Sequence, residues 1–229
     1  MATEGKARDV QFKAGKALLE GTLAVPANSS GTVIFAHGSG SSRFSLRNRH
    51  VAQVLNNAGF ATLLFDLLTS REESLDLVTS QLRFDVEFLS QRLLAATAFI
   101  MQEPETRLHA IGYFGASTGA AAALIAASEL PRAVRAVVSR GGRPDLAADA
   151  LSKVVAPTLL IVGGQDTHVI ELNRKAISNL RGIKQIEIVQ GAGHLFEEND
   201  ALNMVAQHAT KWFEKHLHWS GSEEASNAS

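Results

Sequence analysis

The sequence predicts a doubly wound, mostly parallel α/β sheet opened by an antiparallel hairpin, and three observations carry that expectation. Short apolar runs recur at Thr32 to Ala36, Ala61 to Phe65, Leu108 to Phe114, Ala136 to Ser139, Thr158 to Val162 and Gln185 to Val189. Helix-length stretches lie between them. Ahead of them, Val10 to Phe12 and Ala17 to Val25 flank Ala14-Gly15-Lys16, a tight-turn composition.

Pro26 through Gly31 separates the hairpin from the regular region. The six runs are too short for helices, and Gly, Pro and Asp bound them, as suits strands buried on both faces. Arg47 to Asn57, Phe84 to Met101, Thr118 to Ser128, Val169 to Leu180 and Ala201 to Leu217 read as the connecting helices. Regular alternation of strand and helix implies right-handed crossovers in one parallel sheet. Ligands on such sheets bind beyond the carboxyl ends of the strands. Residues 1–219 are expected to form one domain, and the small, polar residues 220–229 a disordered tail.

Composition removes several classes of function. With 22 Lys plus Arg against 23 Asp plus Glu, the net charge of −1 supplies no field for nucleic acid or an anionic membrane. The absence of cysteine excludes disulfides, thiolate metal ligands and a cysteine nucleophile. No His or carboxylate grouping has metal-ligand spacing, so neither metal nor cofactor is expected. The first residues, MATEGKARDV, lack a signal-peptide core and no apolar run is long enough to span a membrane, which predicts a soluble cytoplasmic protein. Oligomeric state is not legible.

Gly115-Ala116-Ser117-Thr118-Gly119 follows the run ending IGYF and opens AAAALIAAS. This is the nucleophile-elbow pattern: a serine on a strained strand-to-helix turn, with glycines where the helix folds back on the strand. An acylating serine needs a base, and the base needs an anion to hold its tautomer. Asp166 ends GGQD after Thr158 to Val162, and His194 ends GAGH after the next run. Order and strand edge both suit Ser117 as nucleophile, His194 as base and Asp166 as its orienting acid. Taken singly, Asp166 could cap the following helix, and His168 is a rival base on the acid's own loop.

Ala36-His37-Gly38-Ser39-Gly40 ends the first parallel run, where a backbone N–H of Ser39 could serve an oxyanion beside that of Thr118. His37 is expected to fix this loop. The same loop, with Asp66 ending the next run, also supports a nucleotide-binding reading, but Arg43 stands where the third glycine should. A third reading is a hydrolase-like fold that has lost its chemistry and serves as a binding protein. Arg43, Arg47, Arg49, Arg140 and Arg143 fall at the same sheet edge; Arg140 is the leading candidate to fork a substrate carboxylate, with Arg143 and Arg43 behind it. Ion pairing with acids such as Asp145 is the plain alternative. The polar stretch Thr69 to Arg83 could drape over the site as a flap or serve as a surface connection.

Through FAHGSGSSRFSLRNRHVA, GFATLLFDLLT, GYFGASTGAAAAL, VVSRGGRPDLA, APTLLIVGGQD and GAGHLFEE, the chain resembles the dienelactone-hydrolase-like branch of the α/β-hydrolase superfamily. The resemblance implies a compact sheet without a large lid, a Ser117-Asp166-His194 triad, and hydrolysis of a small carboxylic ester or lactone. Dienelactone hydrolases proper use a cysteine nucleophile, so their substrate does not carry over to this cysteine-free chain.

Overall fold

The chain pairs its strands in the order β1-β2-β4-β3-β5-β6-β7-β8, one sheet in which β1 (Arg8–Ala14) and β2 (Ala17–Ala24) form the antiparallel end. The structure is a computed structural model that describes residues 7–29 and 31–217; the expected tail at 220–229 lies outside them. Gly15, at φ 61°, makes the hairpin turn. β2 pairs antiparallel with β4 (Ala61–Phe65). From there β3 (Gly31–Ala36), β5 (Ala110–Ala116), β6 (Val134–Arg140), β7 (Thr158–Gly163) and β8 (Lys184–Val189) continue in parallel.

The apolar runs are continuous because both faces of the sheet are covered. Along β3, Val33 and Phe35 enter one core cluster while Ile34 and Ala36 enter the other, the period of two that a pleated strand imposes. The Val33 side packs against α1 (Leu46–Asn57) and α6 (Ala201–His216) through Leu55, Val205 and Phe213. The opposite side packs against α3 (Val86–Ile100) and α4 (Thr118–Glu129) through Leu93 and the alanines 121–123. Every residue of α4 from Thr118 to Ala127 is buried, and alanine lets this helix lie close to the sheet. α5 (Thr167–Ile177) completes that layer.

Three elements were not legible in the sequence. The stretch from Thr69 runs through α2 (Ser70–Thr79) into a short 3-10 turn at Leu82–Phe84. Thr69 and Glu72 cap α2 reciprocally, each side chain accepting the other's backbone N–H. Pro144–Lys153 folds as 3-10 turns broken at Ala148 (φ 43°). Among the described residues, no helix is long and apolar enough to cross a membrane.

Candidate active site

Ser117 sits at the carboxyl end of β5 with φ 50° and ψ −121°, outside the regions that an L-residue readily adopts. The neighbouring glycines show why the turn holds. A β-carbon at Gly119 would lie 2.2 Å from the Ala36 carbonyl oxygen, and one at Gly115 would lie 2.4 Å from the Ala120 Cα. The helix therefore starts against the strand ends only if both positions are glycine. The Ser117 N–H donates to the Arg140 carbonyl (3.2 Å), and its own carbonyl accepts from the Arg143 N–H (3.1 Å).

Asp166 occupies the residue before α5, yet its side chain makes no helix-capping bond. Its Oδ2 instead accepts from Nδ1 of His194 at 2.6 Å. Asp166 is mostly buried, whereas the His194 side chain is 41% exposed and open to a substrate. The loop of His194 packs on the β6 end: a β-carbon at Gly141 would lie 3.6 Å from His194 Cε1. Ser117 and His194 thus both border the segment 140–141. His168 is exposed on α5 and makes no hydrogen bond to Asp166.

The loop after β3 approaches the serine from the other side, since a β-carbon at Gly38 would lie 3.1 Å from Ser117 Cβ. His37 is buried there. Its Nδ1 donates to the Gly38 carbonyl (2.9 Å) and its Nε2 accepts the Leu67 N–H (3.1 Å), which selects the neutral tautomer. Burial pushes its pKa down, against a smaller upward pull from the Gly38 carbonyl, Asp66 and Glu73. The Ser39 N–H donates to Thr118 Oγ1 at 3.1 Å. That contact ties together the two residues expected to supply oxyanion donors, and gives Thr118 a side-chain role that the sequence did not suggest.

The expectation of free arginine forks at Arg43 and Arg143 is corrected by their partners. Arg43 pairs with Asp66 through both its guanidinium and its backbone N–H, and with Glu20 at 2.9 Å. Those bonds also engage the acid that a nucleotide-binding reading would need. Arg143 grips Asp145 through two bonds of 2.9 and 2.8 Å. Among the described residues, Arg140 alone of the three has no carboxylate, and it is buried, with Nη2 donating to Asn48 Oδ1 at 3.3 Å. Arg49 makes no ion pair with a described residue, and Arg47 pairs with Glu197 at 2.7 Å. Among the described residues, no three His, Asp or Glu side chains gather as a metal site would require.

A cavity of about 100 Å³ adjoins the loop after β3, lined on one side by Gly38 and Ser39 and on the other by Leu67, Leu77 and Leu89. Ser117 does not line it, but stands just across Gly38. Leu77 belongs to α2, so the segment Thr69 to Arg83 forms one wall of this cavity. Asp76 holds the segment in shape, accepting from the backbone N–H groups of Leu82 and Arg83 and from the Arg83 side chain.

A strained serine elbow at the centre of a mostly parallel sheet, with a histidine–aspartate pair on the adjoining loops, defines the α/β-hydrolase class. The chain belongs to the dienelactone hydrolase family, whose sequence pattern matches residues 19–223. A dienelactone hydrolase structure from Anabaena variabilis superposes with a TM-score of 0.93 at 53% identity, covering 94% of this chain and 100% of that one. Est1E from Butyrivibrio proteoclasticus shares the fold at 15% identity, with a TM-score of 0.75 over 90% of this chain and 98% of that one. Two Mycobacterium tuberculosis proteins provisionally named phosphoribosyl transferases are 55% identical over 209 residues, which is 91% of this chain and 46% of theirs. The chain therefore spans less than half the length of those relatives. Their name describes proteins most of whose length has no counterpart here.

Proposed function

We propose that the chain is a serine hydrolase that cleaves small carboxylic esters or lactones through an acyl-enzyme, with Ser117 as nucleophile, His194 as general base and Asp166 as the acid that orients it. The observation that carries this reading is the 2.6 Å His194–Asp166 hydrogen bond at the sheet edge that also carries the strained elbow of Ser117. Asp166 fixes the proton on Nδ1 and so leaves Nε2 free to accept one. Ser117 Oγ adds to the substrate carbonyl as its proton passes to Nε2, and the carbonyl oxygen becomes an oxyanion. The backbone N–H groups of Thr118 and Ser39 receive that charge, the latter by sharing its proton between the oxyanion and Thr118 Oγ1. Collapse expels the alcohol, protonated by His194. Water, deprotonated by the same histidine, then releases the acid and restores Ser117.

Membership of a hydrolase family favours this chemistry over a catalytically silent binding protein. The engagement of Asp66 by Arg43 weighs against nucleotide binding. The test is labelling with a fluorophosphonate followed by turnover of aryl esters of increasing acyl length. Wild-type protein should be labelled once, at Ser117, and should hydrolyse short esters. Ester turnover with no covalent adduct at Ser117, or no reaction with any probe, would reject the proposal.

A further inference from the structure

Arg140 has a charge that no acidic residue answers among the described residues. It is 8% exposed, its Nη1 is shut off from solvent without a hydrogen-bond partner, and its Nη2 has only Asn48 Oδ1 at the long distance of 3.3 Å. A buried cation left this way costs several kcal/mol by general experience, so it normally acquires a counter-ion. Its surroundings increase the deficit. Arg47 brings a second positive charge, and its Nε is also buried and unpaired. Glu197 bonds Arg47 and is largely in solvent. Asn48 and Arg47 both lie in the first turn of α1, which contains no acidic side chain and carries the positive end of the helix dipole. Burial, with a further contribution from Arg47, pushes the Arg140 pKa down to about 10, which still leaves it charged at neutral pH.

We propose that Arg140, Arg47 and Asn48 form a binding site for a carboxylate-sized monoanion, set between the first turn of α1 and the loop that carries His194. Two cations and the single anion Glu197 leave one positive charge in excess, and a monoanion neutralises it. The fork of Arg140 suits a planar carboxylate, and a halide can occupy the same position with fewer bonds. The site flanks the reaction centre, because the Arg140 carbonyl accepts the Ser117 N–H and the next residue packs against His194. The anion therefore has two possible sources, a free ion or a carboxylate on the substrate. The second source rests on the function proposed above, whereas the site itself does not.

Thermal unfolding in sodium formate and in sodium chloride, at ionic strength held constant with a bulky sulfonate buffer salt, reads the site without requiring catalysis. Wild-type Tm should rise by about 3 to 5 °C when formate exceeds its Kd tenfold. Arg140→Met should abolish that response, and Arg47→Gln should shift it to higher concentration. Replacing a buried, unpaired cation by an apolar chain is often tolerated, so Arg140→Met should fold. If it does not, the Arg47→Gln titration decides. A wild-type Tm indifferent to both anions, or a formate response undiminished in the arginine variants, overturns the proposal. Kinetics then separate the sources. Formate that raises KM for a carboxylate-bearing ester, but not for its neutral methyl ester, assigns the site to substrate. Stabilisation without either effect assigns it to a free ion.

Discussion

Asp166 stands at the N-terminus of α5 but gives its carboxylate to His194, with Oδ2 accepting from Nδ1 at 2.6 Å, and leaves the helix uncapped by its side chain. An aspartate before a helix ordinarily stabilises it by capping, by about 1 kcal/mol. Forgoing that bond is what the proposed role in catalysis requires. Asp166→Asn should lower kcat by roughly four powers of ten, since an amide donating to Nδ1 would favour the wrong tautomer. The melting temperature should hardly change. His168→Ala should keep wild-type kcat, and an equal or greater loss there would transfer the base assignment to His168.

The elbow predicts a separation of stability from activity. Ser117 is held at φ 50°, a conformation that costs a non-glycine residue about 1 to 3 kcal/mol. Ser117→Gly should abolish ester turnover and labelling while raising Tm by a few degrees, the strain relief exceeding glycine's added chain entropy. Ser117→Ala should be equally inactive without that gain. Glycine and alanine variants of equal stability would mean that the elbow is unstrained.

His37 links the loop after β3 to pH. In the folded protein its pKa is lowered, by burial above all, and both ring nitrogens are already committed as a neutral donor and acceptor. The unfolded chain takes up a proton below about pH 6.5, where folded His37 resists one. Stability contributed by neutral His37 is therefore complete above that pH, and is lost as pH falls toward the lowered folded value. His109 and His216 are also lowered by burial and act in the same direction. Chemical denaturation from pH 8 to pH 5 should show a falling unfolding free energy, with a shallower fall in His37→Asn. An identical slope in the two proteins would remove His37 from the account.

Asp76 is the clasp of the segment beside the cavity; burial pushes its carboxyl pKa up, but hydrogen bonds from Arg83 and the Leu82 N–H outweigh that and hold it below its ordinary value. Asp76→Asn should loosen residues 70–84 locally. Hydrogen exchange in that segment should accelerate, while strands β3 and β5 keep their protection. If the segment gates the cavity, KM for short esters should change more than kcat. Unaltered exchange across α2 would show that its capping box holds it without the clasp.

The order of strands and helices was legible because each carries its own period and punctuation. Continuous apolar runs marked strands covered on both faces, and Gly115 and Gly119 marked a turn that admits no β-carbon. Chain order and strand edge together singled out Ser117, Asp166 and His194 as candidate partners, since an elbow and two loops at one sheet edge come to the same side. α2 was missed although its capping pair, Thr69 and Glu72, is a local signature, because its apolar residues do not form a buried stripe: Leu75, Leu77 and Val78 are all exposed.

The arginines belonged to the other kind of question. Chain position placed five of them near the site and put Arg140 first, but it could not say which would find an acid, because a salt bridge depends on which carboxylate comes within a few ångströms after folding. Arg43 meets Glu20 from β2 and Asp66 from the end of β4, whereas Arg140 meets the amide of Asn48, 92 residues away, and no acid. The sequence by itself determined the sheet and the residues available for chemistry. Only the tertiary structure decided which positive charge is left without a partner, since burial and distance between remote residues are properties of the packed chain.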